Sequence, residues 1–187
     1  MVKTPTRGIN LAEFLQLPET KPASEYINGK IIQKPMPQGK HSTIQGELVT
    51  TINTTVKPGK IALAFTELRC TFGERSIVPD IAVFAWERIP LDEKGNIANA
   101  FNTYPDWTIE ILSPQQKTTQ VTRNILHCLN HGTSLGWLID PEECNIIVYP
   151  QQQQPIYLEA EQDILPVPPL ASNLQLTLGQ LFDCLKL

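Results

Sequence analysis

The sequence predicts a single mixed α/β (α+β) domain, ordered helix–strand–strand–strand–helix–strand, with a hairpin before that core and further strands and a helix after it. Three observations carry the prediction. Two stretches, 41–56 and 118–131, repeat apolar residues at helical spacing. Four short apolar runs, 61–72, 76–86, 107–112 and 135–139, are bounded by Gly, Pro, Asn or Asp and read as strands. The chain has 187 residues, about the length of one domain, and enough to bury roughly 70% of the surface its unfolded form exposes.

In chain order, residues 9–17 read as a short amphipathic helix that Pro18 stops. Residues 25–34 read as a hairpin turning at Asn28-Gly29, a pair that tolerates the positive φ of a tight turn. A loop with two prolines and a glycine, 34–40, leads into the first long helix. There Ile44, Leu48, Ile52 and Val56 share a face, and Pro58-Gly59 ends the pattern. The strand 61–72 turns at Gly73, and the strand 76–86 tolerates Pro79 near its start. Residues 87–106, with Pro90, Gly95 and Pro105, form an excursion from the core. The strand 107–112 closes at Ser113-Pro114. The second long helix puts Val121, Ile125, Cys128 and Leu129 on its apolar side and ends at Gly132. Residues 135–139 are a buried strand, 144–149 and 155–159 outer strands, 166–169 an extended linker, and 174–187 a docked terminal helix. The core is therefore placed at 41–150, with 1–40 and 151–187 as extensions.

Composition excludes several classes. There are 15 basic and 19 acidic residues, a net charge of −4, and a pI near 5.4. That balance has the wrong sign for a histone-like binder, which needs local positive charge to neutralise phosphate. A charged fraction of 18% is too low for a long coiled coil. The 16 prolines, well above the usual share of about 5%, indicate a loop-rich domain. The polar residues 1–10 do not form a secretory signal, and no apolar run is long enough to span a membrane. Four cysteines without a C-x-x-C pair read as reduced, space-filling thiols in a cytoplasmic protein.

Two carboxylates stand out. In the strand around 78–84, Ile81 and Val83 share one face and Asp80 lies on the other with Ala82 and Phe84. In 107–112, Ile109 and Ile111 share a face and Glu110 lies opposite. Acidic residues in such apolar strands are rarely buried unless paired or bound to metal. Two of them converging at one sheet end form a hard oxygen site suited to Mg²⁺ or Mn²⁺. The histidines are weaker signals. His127 and His131 share a helical face at a chelating spacing but have no third ligand, and His41 stands at the start of the first helix, near the mouth of such a site. Trp86, Trp107 and Trp137 read as core residues, and Asp140-Pro141 as a turn.

Together, TELRCTF-G-ERSIVPDIAVF, PDWTIEILSP and HGTSLGWLIDP resemble the Uma2 (DUF820) proteins. These are abundant in cyanobacteria and belong to the PD-(D/E)XK restriction-endonuclease-like superfamily. The resemblance covers roughly residues 20–150 and agrees with the αβββαβ order already reached from periodicity. It implies a restriction-endonuclease-like core and a Mg²⁺- or Mn²⁺-dependent endonuclease, a hydrolase acting on nucleic acid, DNA first. Asp80 matches the superfamily's aspartate and Glu110 the acid of its D/E-x-K element. The implied metal ligands are Asp80, Glu110, the Ile111 carbonyl and Glu67, with Glu47 on the first helix as the alternative to Glu67.

One position departs from the pattern. The superfamily places a lysine two residues after the glutamate, where this chain has Leu112. In the family a lysine commonly comes from the next helix, and the nearest matches here are Arg123 and, before it, Lys117. Arginine stabilises phosphate charge but stays protonated and cannot act as a base. The departure leaves a second reading open: a weakened or inactive nuclease-fold module that binds nucleic acid or a protein partner. A third is a structural or oligomerisation domain, and a homodimer is the base-rate expectation. Lys30, Lys34 and Lys40 cluster on the hairpin and loop and supply a phosphate-facing patch.

Overall fold

The computed structural model describes residues 8–114 and 116–186. Its N-terminal helix α1 (Leu11–Phe14) is shorter than the apolar pattern suggests. Asn10 caps it by accepting from the Glu13 N–H, and Glu13 accepts from the Asn10 N–H in return. Strands β1 (Ser24–Ile27) and β2 (Lys30–Gln33) form the expected hairpin, with Asn28 at φ 51° and Gly29 at φ 79°. Helix α2 (Gly39–Val56) follows, then β3 (Ala62–Thr66), β4 (Cys70–Phe72), β5 (Arg75–Ile77), β6 (Ile81–Ala85) and β7 (Trp107–Ile111). Helix α3 (Thr118–His131), β8 (Leu135–Asp140), β9 (Asn145–Pro150), β10 (Ile156–Leu158) and α4 (Leu178–Asp183) complete the order.

The strands form two sheets. The larger runs β10-β9-β8-β7-β6-β3, with β7 and β8 parallel and the remaining neighbours antiparallel. The parallel pair requires the crossover that α3 supplies. Helix α2 packs Ile44, Leu48, Ile52 and Val56 onto the face carrying Ile81, Val83, Ile109, Ile111, Trp137 and Ile139. Helix α3 packs Val121, Ile125 and Leu129 onto the opposite face, against Leu138 and Tyr149. Each fully buried aliphatic side chain contributes about 1.5–3 kcal/mol.

The smaller sheet, β2-β1-β5-β4, corrects two sequence-based strands. The run 61–72 breaks at Glu67, which adopts φ 47°, so β3 stays in the large sheet and β4 crosses to the small one. The run 76–86 breaks at Val78-Pro79-Asp80, and β5 and β6 likewise belong to different sheets. Pro79 has no N–H to give a ladder, so a break falls there at little cost. The hairpin is therefore not an appendage: β1 pairs with β5 through Tyr26 and Ser76.

Two other expectations shift. The C-terminal segment does not lie outside the core, since Leu165, Ala171, Leu174, Leu178, Leu181 and Phe182 are buried with α2 and the large sheet. Within the excursion, Phe101 is buried, with ring centroids 5.0 Å from Phe84 and 5.3 Å from Phe65. Trp107 and Trp137 are core residues as expected, whereas Trp86 opens a short 3-10 turn after β6 and is half-buried.

Candidate active site

The break between β5 and β6 leaves backbone polar groups without ladder partners, and buried groups of this kind must find others. Four partners converge on them. The Val78 N–H donates to Glu25 Oε1 at 2.9 Å. Lys34 Nζ donates to the Val78 carbonyl at 2.7 Å. Gln45 Nε2 and the Glu67 N–H both donate to the Asp80 carbonyl, at 2.8 and 3.1 Å. The same break presents the Asp80 side chain, 2% exposed, to the end of β7.

Both Asp80 oxygens are engaged. Oδ1 accepts from Lys34 Nζ at 2.6 Å. Oδ2 accepts from the Ile111 N–H at 2.7 Å and lies 3.2 Å from His41 Nε2. Lys34 also reaches Glu110 Oε2 at 3.4 Å, so one ammonium joins the two carboxylates that the sequence singles out. Behind Lys34, Glu25 Oε2 accepts from Asn124 Nδ2 at 3.0 Å. Glu110 Oε1, Asn124 Oδ1 and His41 Nδ1 are buried without a hydrogen-bond partner among the described residues. A cavity of about 480 Å³ opens beside this cluster, lined by Glu25, Lys34, Glu110, Lys117, Gln120 and Asn124 among others.

The electrostatics are uneven. Burial disfavours the Lys34 ammonium, but Asp80, Glu110 and Glu25 outweigh it and hold Lys34 charged well above its ordinary range. For Asp80, burial opposes ionisation, yet Lys34 and His41 keep the carboxyl far below its usual value. Glu110 goes the other way. Burial, helped by the nearby charges of Asp80 and Glu25, overcomes the pull of Lys34 and lifts Glu110 well above the ordinary carboxylate range. Two neighbouring carboxyls pushed in opposite directions are a common mark of acid/base sites.

The other sequence-derived candidates fall at different distances from this centre. Ile111 enters through its N–H, which anchors Asp80. Glu67 is exposed and stands on the rim of a small crevice with His41 and Asp80; its bond to the site is made by its backbone. Glu47 is exposed on α2 and faces Cys184. Arg123 is exposed on α3 beside Arg75 and is absent from the cavity wall. Lys117 is exposed at the start of α3 and lines the cavity mouth. On α3 it is Asn124, next to Arg123, that turns inward, and the cation that meets the carboxylates comes from the hairpin. Sequence reasoning missed Glu25, Gln45 and Asn124 as site members, placed His41 only near the mouth of the site, and gave Lys34 only as part of a basic patch. The signal for Asn124 was present, since it falls at i+3 from Val121 within the apolar stripe.

A mixed sheet flanked by helices, with a buried aspartate–glutamate pair at the ends of adjacent strands and a lysine between them, defines a nuclease-like protein of the restriction-endonuclease-like fold. The chain belongs to the Uma2 family, described as "Putative restriction endonuclease", whose model matches residues 11–179. It is similar to a solved structure from Anabaena variabilis ATCC 29413, described as a "putative nuclease belonging to DUF820". The two are 62% identical, with a TM-score of 0.93, over 95% of this chain and 99% of that one. No curated protein matches the chain. Among the described residues, no helix is long and apolar enough to cross a membrane.

Proposed function

We propose that this protein is a Mg²⁺- or Mn²⁺-dependent endonuclease that hydrolyses phosphodiester bonds in DNA, with Asp80, Glu110 and Lys34 as its central residues. The observation that supports this reading is the Lys34 ammonium, 2.6 Å from Asp80 and 3.4 Å from Glu110. It supplies from the hairpin the cation that Leu112 cannot supply two residues after the glutamate. Leu112, Arg123 and Lys117 are then not the residues on which activity turns.

Asp80 and Glu110 are the oxygens a divalent ion would meet, although among the described residues no three His, Cys, Asp or Glu side chains are grouped to hold one. Mg²⁺ and Mn²⁺ take hard oxygen ligands, and Glu110 keeps a buried oxygen with no hydrogen-bond partner among the described residues. Glu110 and Asp80 would hold the ion, and the chemistry it supplies when bound is activation of water and neutralisation of phosphate charge. The chain's own residues do the rest. Lys34 offers a fixed positive charge to the phosphate oxygens as negative charge builds on them. Asp80 orients Lys34, and the Ile111 N–H and His41 hold Asp80 in turn. Lys117 and Gln120, on the cavity wall, meet the sugar–phosphate backbone, where contacts position the nucleic acid rather than read its sequence.

The test is cleavage of supercoiled plasmid by the purified protein with Mg²⁺ or Mn²⁺, lost in Asp80→Asn, Glu110→Gln and Lys34→Met. One observation favours the second reading, a non-catalytic nucleic-acid-binding module: both Asp80 oxygens are already taken by groups of the chain itself. Retention of DNA without cleavage under either ion would support that module.

A further inference from the structure

The groups at the centre of the site lie in a hollow, not on an open surface. Asp80 and Glu110 are 2% and 3% exposed, and Glu110 and Lys34 form part of the wall of the cavity of about 480 Å³. That volume falls in the range of about 300–1,000 Å³ that encloses one drug-sized ligand, which is also the size of a nucleotide. A duplex carries its phosphates on a stiff helix, with a persistence length of about 50 nm, and the helix cannot follow a phosphate into a hollow of this size. An unpaired strand can, because its bases unstack and splay apart.

The wall chemistry narrows the ligand further. Asn124 lines the same cavity, and its Oδ1 is buried and accepts no hydrogen bond among the described residues. An ionised carboxylate only accepts, so Nδ2 must face Glu25 Oε2, 3.0 Å away, and the amide oxygen is the end left over. A ligand that displaces water from this wall must bring a donor for that oxygen, or lose affinity. A phosphodiester has none to give. A nucleobase carries N–H donors on its Watson–Crick edge, which pairing hides and an unpaired strand offers. Ile32, Pro35 and Val121 add apolar surface to the same wall, and a ring packs on such surface while a few polar groups orient it.

We propose that the cavity seats the base of one unpaired nucleotide against Asn124, and that the substrate class is single-stranded or locally opened DNA. The inference rests on the reading above that the site meets nucleic acid. The seated base brings the adjoining phosphodiester to Lys34 and Glu110, and Asn124 becomes a binding residue. Negative supercoiling favours opening of a duplex, so a supercoiled plasmid presents such a strand and the same plasmid made linear does not.

Fluorescence anisotropy in EDTA tests the proposal without any turnover. The probes are a short labelled DNA strand of mixed sequence, the same strand annealed to its complement, and a strand of equal length built from abasic residues. The wild type is expected to bind the mixed strand about tenfold or more tighter than either of the other two, the scale of a base stacked and hydrogen-bonded in a protein site. Asn124→Leu, which keeps the side-chain shape and removes the acceptor, should erase most of that preference and leave duplex binding unchanged, with its folding checked by melting temperature. The wild-type comparison decides the matter even where that variant fails to fold. Equal affinity for strand and duplex, or for normal and abasic strands, overturns the proposal and leaves the endonuclease reading intact. A clear strand preference with no cleavage under Mg²⁺ or Mn²⁺ upholds the proposal and removes the endonuclease reading. A wild type that binds no strand overturns both.

Discussion

Lys34 and Asp80 are 46 positions apart in sequence, yet Nζ and Oδ1 meet at 2.6 Å in a setting where the lysine side chain is 14% exposed and the aspartate 3%. The contact holds the hairpin against the break between the two sheets, and it decides how the site responds to mutation.

Lys34→Met keeps the length of the side chain and removes the charge. Asp80 and Glu110 are then buried without their cation, and breaking a buried pair from one side costs about 3–5 kcal/mol. The variant should melt well below the wild type at neutral pH. In the wild type Asp80 titrates far below its ordinary value, so the stability it contributes is present above that ordinary value and is lost only at strongly acid pH. Without Lys34 the depression shrinks to what His41 supplies. The gap in melting temperature between variant and wild type should therefore persist from about pH 8 down to about pH 4 and narrow only below the ordinary aspartate value, as differential scanning fluorimetry carried into acid pH would show.

Glu110→Gln should separate stability from activity. Glu110 is raised well above the ordinary carboxylate range by burial, so its ionisation opposes folding, increasingly as pH rises through neutrality. A neutral glutamine of the same shape is expected to leave the melting temperature unchanged or higher at pH 7–8, while plasmid cleavage is lost. Sites whose groups are strained for function commonly trade in this way. A glutamine variant that melts several degrees lower would show that the glutamate is structural.

His127 predicts a separate acid sensitivity. Burial, together with the nearby positive charges of Arg75 and His131, pushes it down to about 4, although its ring also bonds to the Phe72 carbonyl at 3.2 Å. The unfolded chain takes up that proton below about 6.5 and the folded chain only below about 4. Between those values the unfolded state binds more protons, and stability falls as pH falls. His127→Gln should flatten the drop in melting temperature between pH 7 and pH 5. An unaltered slope would mean that other groups carry it.

Arg123, the nearest helix match to the missing lysine, should prove dispensable. It is exposed and stands off the cavity wall, so Arg123→Ala is expected to change stability and cleavage by about twofold or less, the usual range for such surface positions. Arg123→Lys should bring no gain. A marked loss in either variant would assign Arg123 to the bound nucleic acid.

Much of this was legible in the sequence, and the misses have physical causes. The two long helices announced themselves by four-residue spacing of Ile44, Leu48, Ile52 and Val56 and by the Val121–Ile125–Leu129 stripe, because each buries one face on a sheet. Asp80 and Glu110 stood out because carboxylates are costly among apolar strand neighbours. The breaks at Glu67 and Pro79 were hidden, since alternation continues across them and only tertiary pairing sends the chain to a second sheet. Lys34 and Glu25 were hidden for the same reason. They sit on a hairpin whose burial depends on β5, and nothing local marks a hairpin as buried. Asn124 was passed over because a charged neighbour, Arg123, looked the better counterpart to a lysine, while the helix phase that turns one inward turns the other out.

The most direct measurement is nicking of supercoiled plasmid in Mn²⁺ by wild type and Lys34→Met prepared side by side, with folding of both checked by circular dichroism. The account predicts metal-dependent nicking by the wild type, abolished by chelation, and a loss of about 10²-fold or more in the variant, the scale for removing a group that stabilises developing charge. Nicking by a folded Lys34→Met protein at the wild-type rate would contradict it.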